Sequence, residues 1–139
     1  MKGLKYFKQA DIYKNYNGNN VINLNENKAW SYSWWLYYTK LDSGLTVFNS
    51  SYYSSSTVKH QNQCKSLLDY KFDLNLRNTT SSLDKPHQVK NDLLEAIKEL
   101  NRQINKPRTR KSTNERRLNE ITEIEDNLQV LQDNNFFQG

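Results

Sequence analysis

The order of hydrophobic and polar residues divides the chain into two parts with different periods. From Val21 to Arg77 the two kinds of residue alternate, as in β-strands with one buried face. Beyond Pro86 the apolar residues recur every three or four positions, which is the period of an amphipathic helix. The pattern predicts an α+β fold. A small antiparallel sheet with a short helix occupies 1–83, and an antiparallel helical hairpin packed on it occupies 84–139.

The segment AWSYSWWLYYTK gives the clearest strand prediction. One face of its alternation holds Trp30, Tyr32, Trp34, Leu36 and Tyr38, and the other holds Ser31, Ser33, Trp35, Tyr37 and Thr39. The LDSG sequence that follows favours a turn, because Gly44 adopts positive φ without steric cost. We therefore expect one strand over 29–40 and an antiparallel hairpin with a second strand over 45–53.

Two shorter elements follow this hairpin. In YYSSSTVKHQNQCKSLL, the hydroxyl of Ser56 or Thr57 is suited to cap a helix, which predicts a short helix over 58–67. In LDYKFDLNLR the apolar residues again alternate with polar ones. This second alternation predicts a strand over 68–77 with one face in solvent. Its inward residues are Leu68, Tyr70, Phe72, Leu74 and Leu76.

The C-terminal part carries two narrow apolar stripes. The first consists of Val89, Leu93, Ile97, Leu100 and Ile104, and the second of Leu118, Ile121, Ile124, Leu128 and Leu131. Pro107 interrupts the first helix, and Ser112 with Glu115 has the spacing of a capping box for the second. The predicted helices are 86–105 and 112–133. Two such stripes cannot bury each other completely, so the remainder must pack on the sheet, a second copy or a partner.

Composition constrains the core. Apolar residues make up 35% of the 139 residues and aromatic residues 12%, so a core of this size must use aromatic side chains. We expect most of Trp30, Tyr32, Trp34 and Leu36 to lie inside. Trp35 and Tyr37 fall on the face flanked by Ser and Thr, and they are candidates for an exposed binding role. Lys59 and His60, near the start of the short helix, are candidates for the same secondary site.

Positive charge is concentrated between the two predicted helices. The stretch from 102 to 117 contains one acidic residue, Glu115, and seven basic residues: Arg102, Lys106, Arg108, Arg110, Lys111, Arg116 and Arg117. A protruding cluster of this kind is suited to several phosphates at once. Phosphate contact is the favoured interpretation. The alternatives are an acidic protein contact and a solvated turn, partly neutralised by Glu120, Glu123, Glu125 and Asp126.

No residue pattern predicts catalysis, a metal or a cofactor. The chain contains none of the common nucleotide-binding, zinc-protease or serine-hydrolase motifs. Cys64, the only cysteine, stands four residues after His60, and a structural pair is the favoured interpretation. The N-terminus lacks the apolar stretch of a signal peptide, and no stretch is long enough to cross a membrane. We therefore expect a non-enzymatic protein that resides in the cytoplasm of a cell, which is the host cell if the protein comes from a phage.

One part of the sequence carries a resemblance. The segments W-S-Y-S at 30–33 and Y-S-S-S-T-V-K-H-Q at 53–61 resemble a pattern in small uncharacterised phage and prophage proteins. Those proteins have an S-Y-S strand, a second strand ending in Y-S, and a Ser/Thr-rich helix start before K-H. The resemblance covers 30–67 and departs at Thr57-Val58, where the pattern has Thr-Thr. It implies an origin in phage and no particular activity.

These observations favour a binding function. By analogy with small phage inhibitors of host defence, we expect an anti-CRISPR-type protein that binds a host nucleic-acid-handling complex through the basic residues of 102–117. The partner is then a host protein or ribonucleoprotein, with or without direct contact to nucleic acid. Two alternatives remain. One is a sequence-nonspecific DNA- or RNA-binding accessory protein. The other is a structural homo-oligomer, such as a dimer joined through the C-terminal helices.

Overall fold

The computed structural model describes residues 4–6, 12–15, 20–23, 27–32, 34–107 and 110–138, with the first two ranges as backbone only. Seven strands and three helices lie in this part of the chain. In chain order they are β1 (Leu4–Tyr6), β2 (Ile12–Asn15), β3 (Asn20–Asn23), β4 (Lys28–Ser31), β5 (Trp35–Lys40), β6 (Thr46–Asn49), α1 (Ser55–Leu67), β7 (Leu74–Leu76), α2 (Pro86–Ile104) and α3 (Lys111–Asp133). The predicted α+β fold is confirmed.

The strands form one sheet in which each strand lies beside its neighbours in sequence, from β1 to β7. Every pair is antiparallel except β6 and β7, which are parallel. Parallel neighbours require the chain to return to its starting end before the second strand begins. Helix α1 provides that return, because it lies between β6 and β7 in the sequence. The sheet is therefore mostly antiparallel, with one parallel edge pair.

The single strand predicted over 29–40 is wrong. Strands β4 and β5 are an antiparallel hairpin, with Ser31 opposite Trp35 and Trp30 opposite Leu36. The chain reverses through Tyr32, whose φ is 56°, a value that few residues other than glycine adopt. The turn contains no Gly, Pro, Asn or Asp, so its sequence lacks the usual turn signal. The predicted hairpin with the next strand is present, between β5 and β6, but shorter than expected.

This turn overturns the predicted burial of the aromatic residues. Trp35 and Tyr37, expected in an exposed role, are 1% and 0% exposed. Tyr32 and Trp34, expected inside, are exposed. Side chains alternate in a regular strand, and an intervening turn resets which residues face the core. Leu36 is buried as expected, and Trp30 is partly buried.

The second alternating segment is also shorter than predicted. Only Leu74 to Leu76 forms a strand, because Asp69 and Tyr70 adopt positive φ in a turn that follows α1. Helix α1 begins at Ser55, three residues before the predicted start, and Ser54 is its N-cap. The Ser54 side chain accepts a hydrogen bond from the backbone N–H of Thr57 at 3.2 Å. The predicted caps Ser56 and Thr57 therefore lie inside the first turn.

The two C-terminal helices form the predicted pair, and their bounds differ from the prediction by one residue at a single end of each. The predicted capping box is wrong, since α3 begins at Lys111 with Arg110 as N-cap and without a side-chain cap bond. The turn is closed instead by Asn114, whose side-chain N–H donates to the carbonyl of Ile104 at 3.5 Å. Asn114 therefore joins α3 to the last residue of α2.

Two cores lie on opposite faces of the sheet. Helices α2 and α3 bury an aliphatic core whose members are Leu36, Val47, Leu74, Leu76, Leu83, Val89, Leu93, Ile124, Leu131 and Phe136. Helix α1 covers an aromatic core whose members are Ile22, Ala29, Trp35, Tyr37, Tyr38, Phe48 and Cys64. The helical stripes therefore pack on the sheet of the same chain. Within the described residues, no helix has both the length and the apolar character that crossing a membrane requires.

Candidate functional site

The basic residues extend beyond one end of the sheet, and the contacts of α3 with β7 show which end it is. Along β7 and the residues after it, Asn127 contacts Asn75, Glu123 contacts Arg77 and Glu120 contacts Asn78. Helix α3 therefore runs antiparallel to β7, with its N-terminus beyond the C-terminal end of that strand. We call this the distal end of the sheet. It is also where β4 and β6 finish and β5 begins.

The basic turn, defined as the cationic residues of 102–117, projects past the distal end. At 1.5 Å per residue, Lys111 lies about 14 Å beyond Glu120 along the axis of α3. Arg110, Lys111 and Arg116 are exposed, and Arg117 is half-buried with its guanidinium 3.4 Å from the Asn114 side-chain oxygen. Lys106 is also exposed at the end of α2. Arg108 lies outside the described residues.

Arg102 differs from the other cations of the turn. Its Nε and Nη2 atoms donate to the carboxylate of Glu99 on the preceding turn of α2, at 2.8 and 2.6 Å. These hydrogen bonds, with a further one from Gln103, lower the pKa of Glu99 to about 2. Both side chains are exposed to solvent, so the pair contributes little to stability. Arg102 consequently contributes less free positive charge to the basic turn than the sequence indicates.

Two of the four acidic residues downstream of the turn contact the residues that follow β7, and no ion pair among the described residues joins any of the four to the basic turn. Glu123 forms an ion pair with Arg77 at 2.8 Å, and Glu120 accepts from the side chain of Asn78 at 3.2 Å. Both contacts tie α3 to the sheet. In the described part of the chain, Arg110, Lys111 and Arg116 form no ion pair, although Arg116 lines a shallow groove together with Glu120 and Glu123.

The N-terminus of α3 strengthens the positive potential at this position. Its first turn contains no acidic residue, and Lys111 is its first helical residue. The unpaired amides at a helix N-terminus carry a partial positive charge. Cationic side chains at this position are therefore unfavourable for the helix, whereas a bound anion is favourable. Natural helices favour Asp or Glu at such positions. The cations at the start of α3 therefore lower the stability of the helix slightly and favour an anionic ligand.

A second exposed feature lies at the same end of the sheet. The exposed aromatic patch consists of Tyr32, Trp34, Tyr52 and Tyr53, which are 37%, 53%, 68% and 43% exposed. Tyr32 and Trp34 belong to the turn between β4 and β5, and Tyr52 and Tyr53 precede the N-cap of α1. Periodicity assigned the first two to the core. The only sequence signal for the other two was an aromatic pair directly before a helix cap.

The patch is built on buried neighbours. The ring of Tyr53 stacks on Trp35 with centroids 5.2 Å apart, and Trp34 meets Tyr53 edge-on at 5.8 Å. Trp35 is held in turn by a hydrogen bond from its Nε1 to the carbonyl of Thr80 at 2.8 Å. Tyr32 packs edge-on against His60, with centroids 5.3 Å apart. These contacts restrict the orientations of the exposed rings.

His60 and Lys59, the remaining candidates of the secondary site, have different environments. Lys59 is exposed in the second turn of α1, not beside the cap as the sequence suggested. His60 is buried, and its Nδ1 lies 2.6 Å from the hydroxyl of Ser31. Burial lowers the pKa of this imidazole. His60 therefore supports the patch from below and is not itself a surface contact.

The Ser31–His60 contact has the spacing of a nucleophile and its base, but both side chains are buried. Ser31 is fully buried and its hydroxyl also contacts that of Thr57, at 3.2 Å. Among the described residues, no carboxylate contacts the imidazole. Cys64 does not pair with His60, and burial raises the pKa of its thiol to about 12. These side chains form a structural network.

Comparison with protein-family models, curated proteins and solved structures finds no match to this chain. Within the described residues, no group of three or more His, Cys, Asp or Glu side chains is placed to hold a metal ion. The exposed cations and rings described above, the basic turn and the exposed aromatic patch, form the candidate site at the distal end of the sheet.

Proposed function

We propose that this protein is a non-enzymatic inhibitor that binds a nucleic-acid-handling complex of its host, as an anti-CRISPR-type protein of phage origin does. The observation that carries the proposal is the exposure of Arg110, Lys111 and Arg116 on a helical projection beyond the sheet, without ion pairs among the described residues. A cationic projection of this kind fits a channel that normally holds a phosphate backbone, or the backbone itself.

The rest of the fold supports this use of the hairpin. Both helices are anchored by the aliphatic core, and α3 is also tied to the sheet through Arg77 and Asn78. The projection is therefore held by a rigid base, which limits the entropy lost when it binds. Arg110 and Lys111 lie beyond these anchoring contacts, so a partner reaches them without disturbing the core.

The test measures binding at increasing salt. The variant Arg110→Ala/Lys111→Ala/Arg116→Ala removes three charges from the basic turn. We expect it to bind a polyanionic partner on the order of tenfold or more weakly at low salt, with the log–log salt slope reduced by about three. The partners are a duplex DNA, a single-stranded RNA and purified host defence complexes, the last assayed by co-elution on a sizing column.

A matched control removes three charges from the opposite end of the molecule. Lys40 is the last residue of β5, and Lys71 lies shortly before β7. Lys85 lies at this end too, because its neighbour Asp84 lines a groove with the turn after β5. The variant Lys40→Ala/Lys71→Ala/Lys85→Ala should retain both the affinity and the salt slope. Equal losses in the two variants would show that net charge alone is responsible. If no nucleic acid and no defence complex binds the unaltered protein, the proposed function is wrong.

A further inference from the structure

We propose that the exposed aromatic patch binds the bases of a single-stranded nucleic acid by stacking. The inference rests on the proposed function, because it names the component of the host complex that this surface contacts. It concerns different residues from the basic turn, so the two proposals can fail separately.

The exposure of the rings is the first observation. Trp34, Tyr52 and Tyr53 present between 43% and 68% of their surface to solvent, although this chain has few apolar residues to spare from its core. Single-stranded nucleic acids are commonly bound on exposed aromatic side chains, because every base has a flat face that stacks without regard to sequence. Trp and Tyr also lose little conformational entropy on binding, since each has only two side-chain torsions.

The support beneath the rings is the second observation. Tyr53 lies on buried Trp35 and contacts Trp34, while the indole of Trp35 is fixed by its hydrogen bond to Thr80. Tyr32 is similarly placed on His60, which is held by Ser31. Rings ordered before binding make a better stacking surface than mobile ones, because less freedom is lost in the complex.

The charge around the patch is the third observation, and it favours nucleic acid over a protein partner. Between Lys28 and Leu68 the chain contains one acidic residue, Asp42, which lies in the turn at the opposite end of the sheet. Helix α1 carries no carboxylate, and its exposed Lys59 lies toward the patch end of the helix, whereas Lys65 lies in the last turn over the ring of Phe48. The nearby Asp92 accepts hydrogen bonds from Thr79 and Ser81, at 2.7 and 2.6 Å. Aromatic rings beside a lysine, with few carboxylates around them, complement bases on a phosphate backbone.

The position of the patch is the fourth observation. Both the patch and the basic turn lie at the distal end of the sheet. They lie on opposite faces there, because the patch packs on the aromatic core and the basic turn joins α2 and α3. A strand whose bases stack on Trp34 therefore reaches these cations with its phosphates by passing over this end of the sheet. Aromatic contacts and a positively charged path are the two components of sequence-nonspecific binding to single strands.

The experiment measures the affinity of single-stranded oligonucleotides of about 12 nucleotides by fluorescence anisotropy at low salt. The variant Trp34→Ala should bind about 5- to 150-fold more weakly, the range that corresponds to losing one base–aromatic stack. Trp34→Phe should retain most of the affinity, because it keeps a flat ring. Duplex DNA should show little change with either variant, since its bases are already stacked in the helix.

Tyr70→Ala is the matched control. Tyr70 is as exposed as Tyr52 but follows α1, at the opposite end of the sheet, so its removal should leave binding unchanged. Tryptophan fluorescence gives a second readout, because a stacked base quenches an indole. The oligonucleotide should quench the tryptophan fluorescence of the unaltered protein. In Trp34→Phe most of this quenching should be lost, although the oligonucleotide still binds. A purely structural role for Trp34 would not produce this separation.

The outcomes decide between occupants of the patch. Oligonucleotide affinity that is unaffected by Trp34→Ala, or no affinity at low salt, overturns the inference. A protein component of the host complex that binds in a Trp34-dependent manner without nucleic acid would assign the patch to a protein and also overturn it. If the triple variant of the basic turn loses duplex binding while Trp34→Ala does not affect single strands, the proposed function survives and this inference does not.

Discussion

The two faces of the sheet are stabilised by different chemistry. Under α2 and α3 the core is aliphatic, and Leu76, Val89 and Leu93 are almost completely buried there. Under α1 the core is aromatic and carries polar atoms, with Trp35, Tyr37 and Phe48 packed among buried polar side chains. The first face depends on burial of apolar area. The second depends on burial together with hydrogen bonds that must be formed in specific directions.

The polar groups on the aromatic face are satisfied by one another. The Tyr37 hydroxyl lies 2.8 Å from Asn20 Oδ1 and 3.1 Å from the carbonyl of His60. Gln61 donates to the carbonyls of Asn49 and Ser51, at 2.6 and 3.1 Å. Among the described residues, no buried side-chain nitrogen or oxygen lacks a partner. Directional bonds of this kind position α1 on the sheet, and thereby determine where the rings of the exposed aromatic patch emerge.

The largest effect is expected from a cavity in the aliphatic core. Leu93→Ala should lower the free energy of unfolding by about 2–5 kcal/mol, because Leu93 is 1% exposed and its removal leaves a void. The neighbouring Leu94 is 48% exposed, so Leu94→Ala should change stability by no more than about 0.5 kcal/mol. Urea unfolding of both variants measures the difference. Equal effects would show that α2 does not pack on the sheet as described.

A smaller effect is expected from one hydroxyl on the aromatic face. Tyr37→Phe retains the ring but leaves Asn20 Oδ1 without the hydroxyl that donates to it, which should cost about 1–3 kcal/mol. Tyr70→Phe removes a hydroxyl that faces solvent and should have almost no effect. The same unfolding assay compares the two. A loss below about 0.5 kcal/mol for Tyr37→Phe would mean that packing alone specifies this face.

The smallest effect is an acid sensitivity confined to the aromatic face. Burial lowers the pKa of His60, so its neutral form is favoured in the folded protein. As pH falls through about 6.5, the imidazole of the unfolded chain gains a proton before that of the folded chain does. The unfolded state then binds more protons, and stability falls until the lower folded pKa is passed. Above about pH 6.5 this group has little influence on stability.

Urea unfolding at about pH 7.5 and 5.5 measures this sensitivity. In His60→Asn the loss of stability between the two pH values should be smaller, although the variant is less stable at both. His87 is exposed, and His87→Asn should keep the pH dependence of the unaltered protein. An unchanged pH dependence in His60→Asn would show that the imidazole near Ser31 does not control the acid response.

The C-terminal helices were predictable because the signals that form them are local. The recurrence of apolar residues at helical spacing, with Pro86 at the start of α2 and Pro107 beyond its end, placed both helices to within one residue at each end. The basic turn between them followed from the same reasoning. The Arg102–Glu99 ion pair has the same local origin, because the two residues stand three apart on α2, although charge counting alone did not reveal it.

By itself, the sequence determined the α+β class, the helical pair and the concentration of cations between its members. Only the tertiary structure decided that the chain reverses at Tyr32, and with it that Trp35 and Tyr37 are buried while Trp34 is exposed. It also decided that the basic turn and the exposed aromatic patch share one end of the sheet. The physical reason is that helical period is a local property, whereas the face that a strand residue occupies depends on every turn and pairing around it.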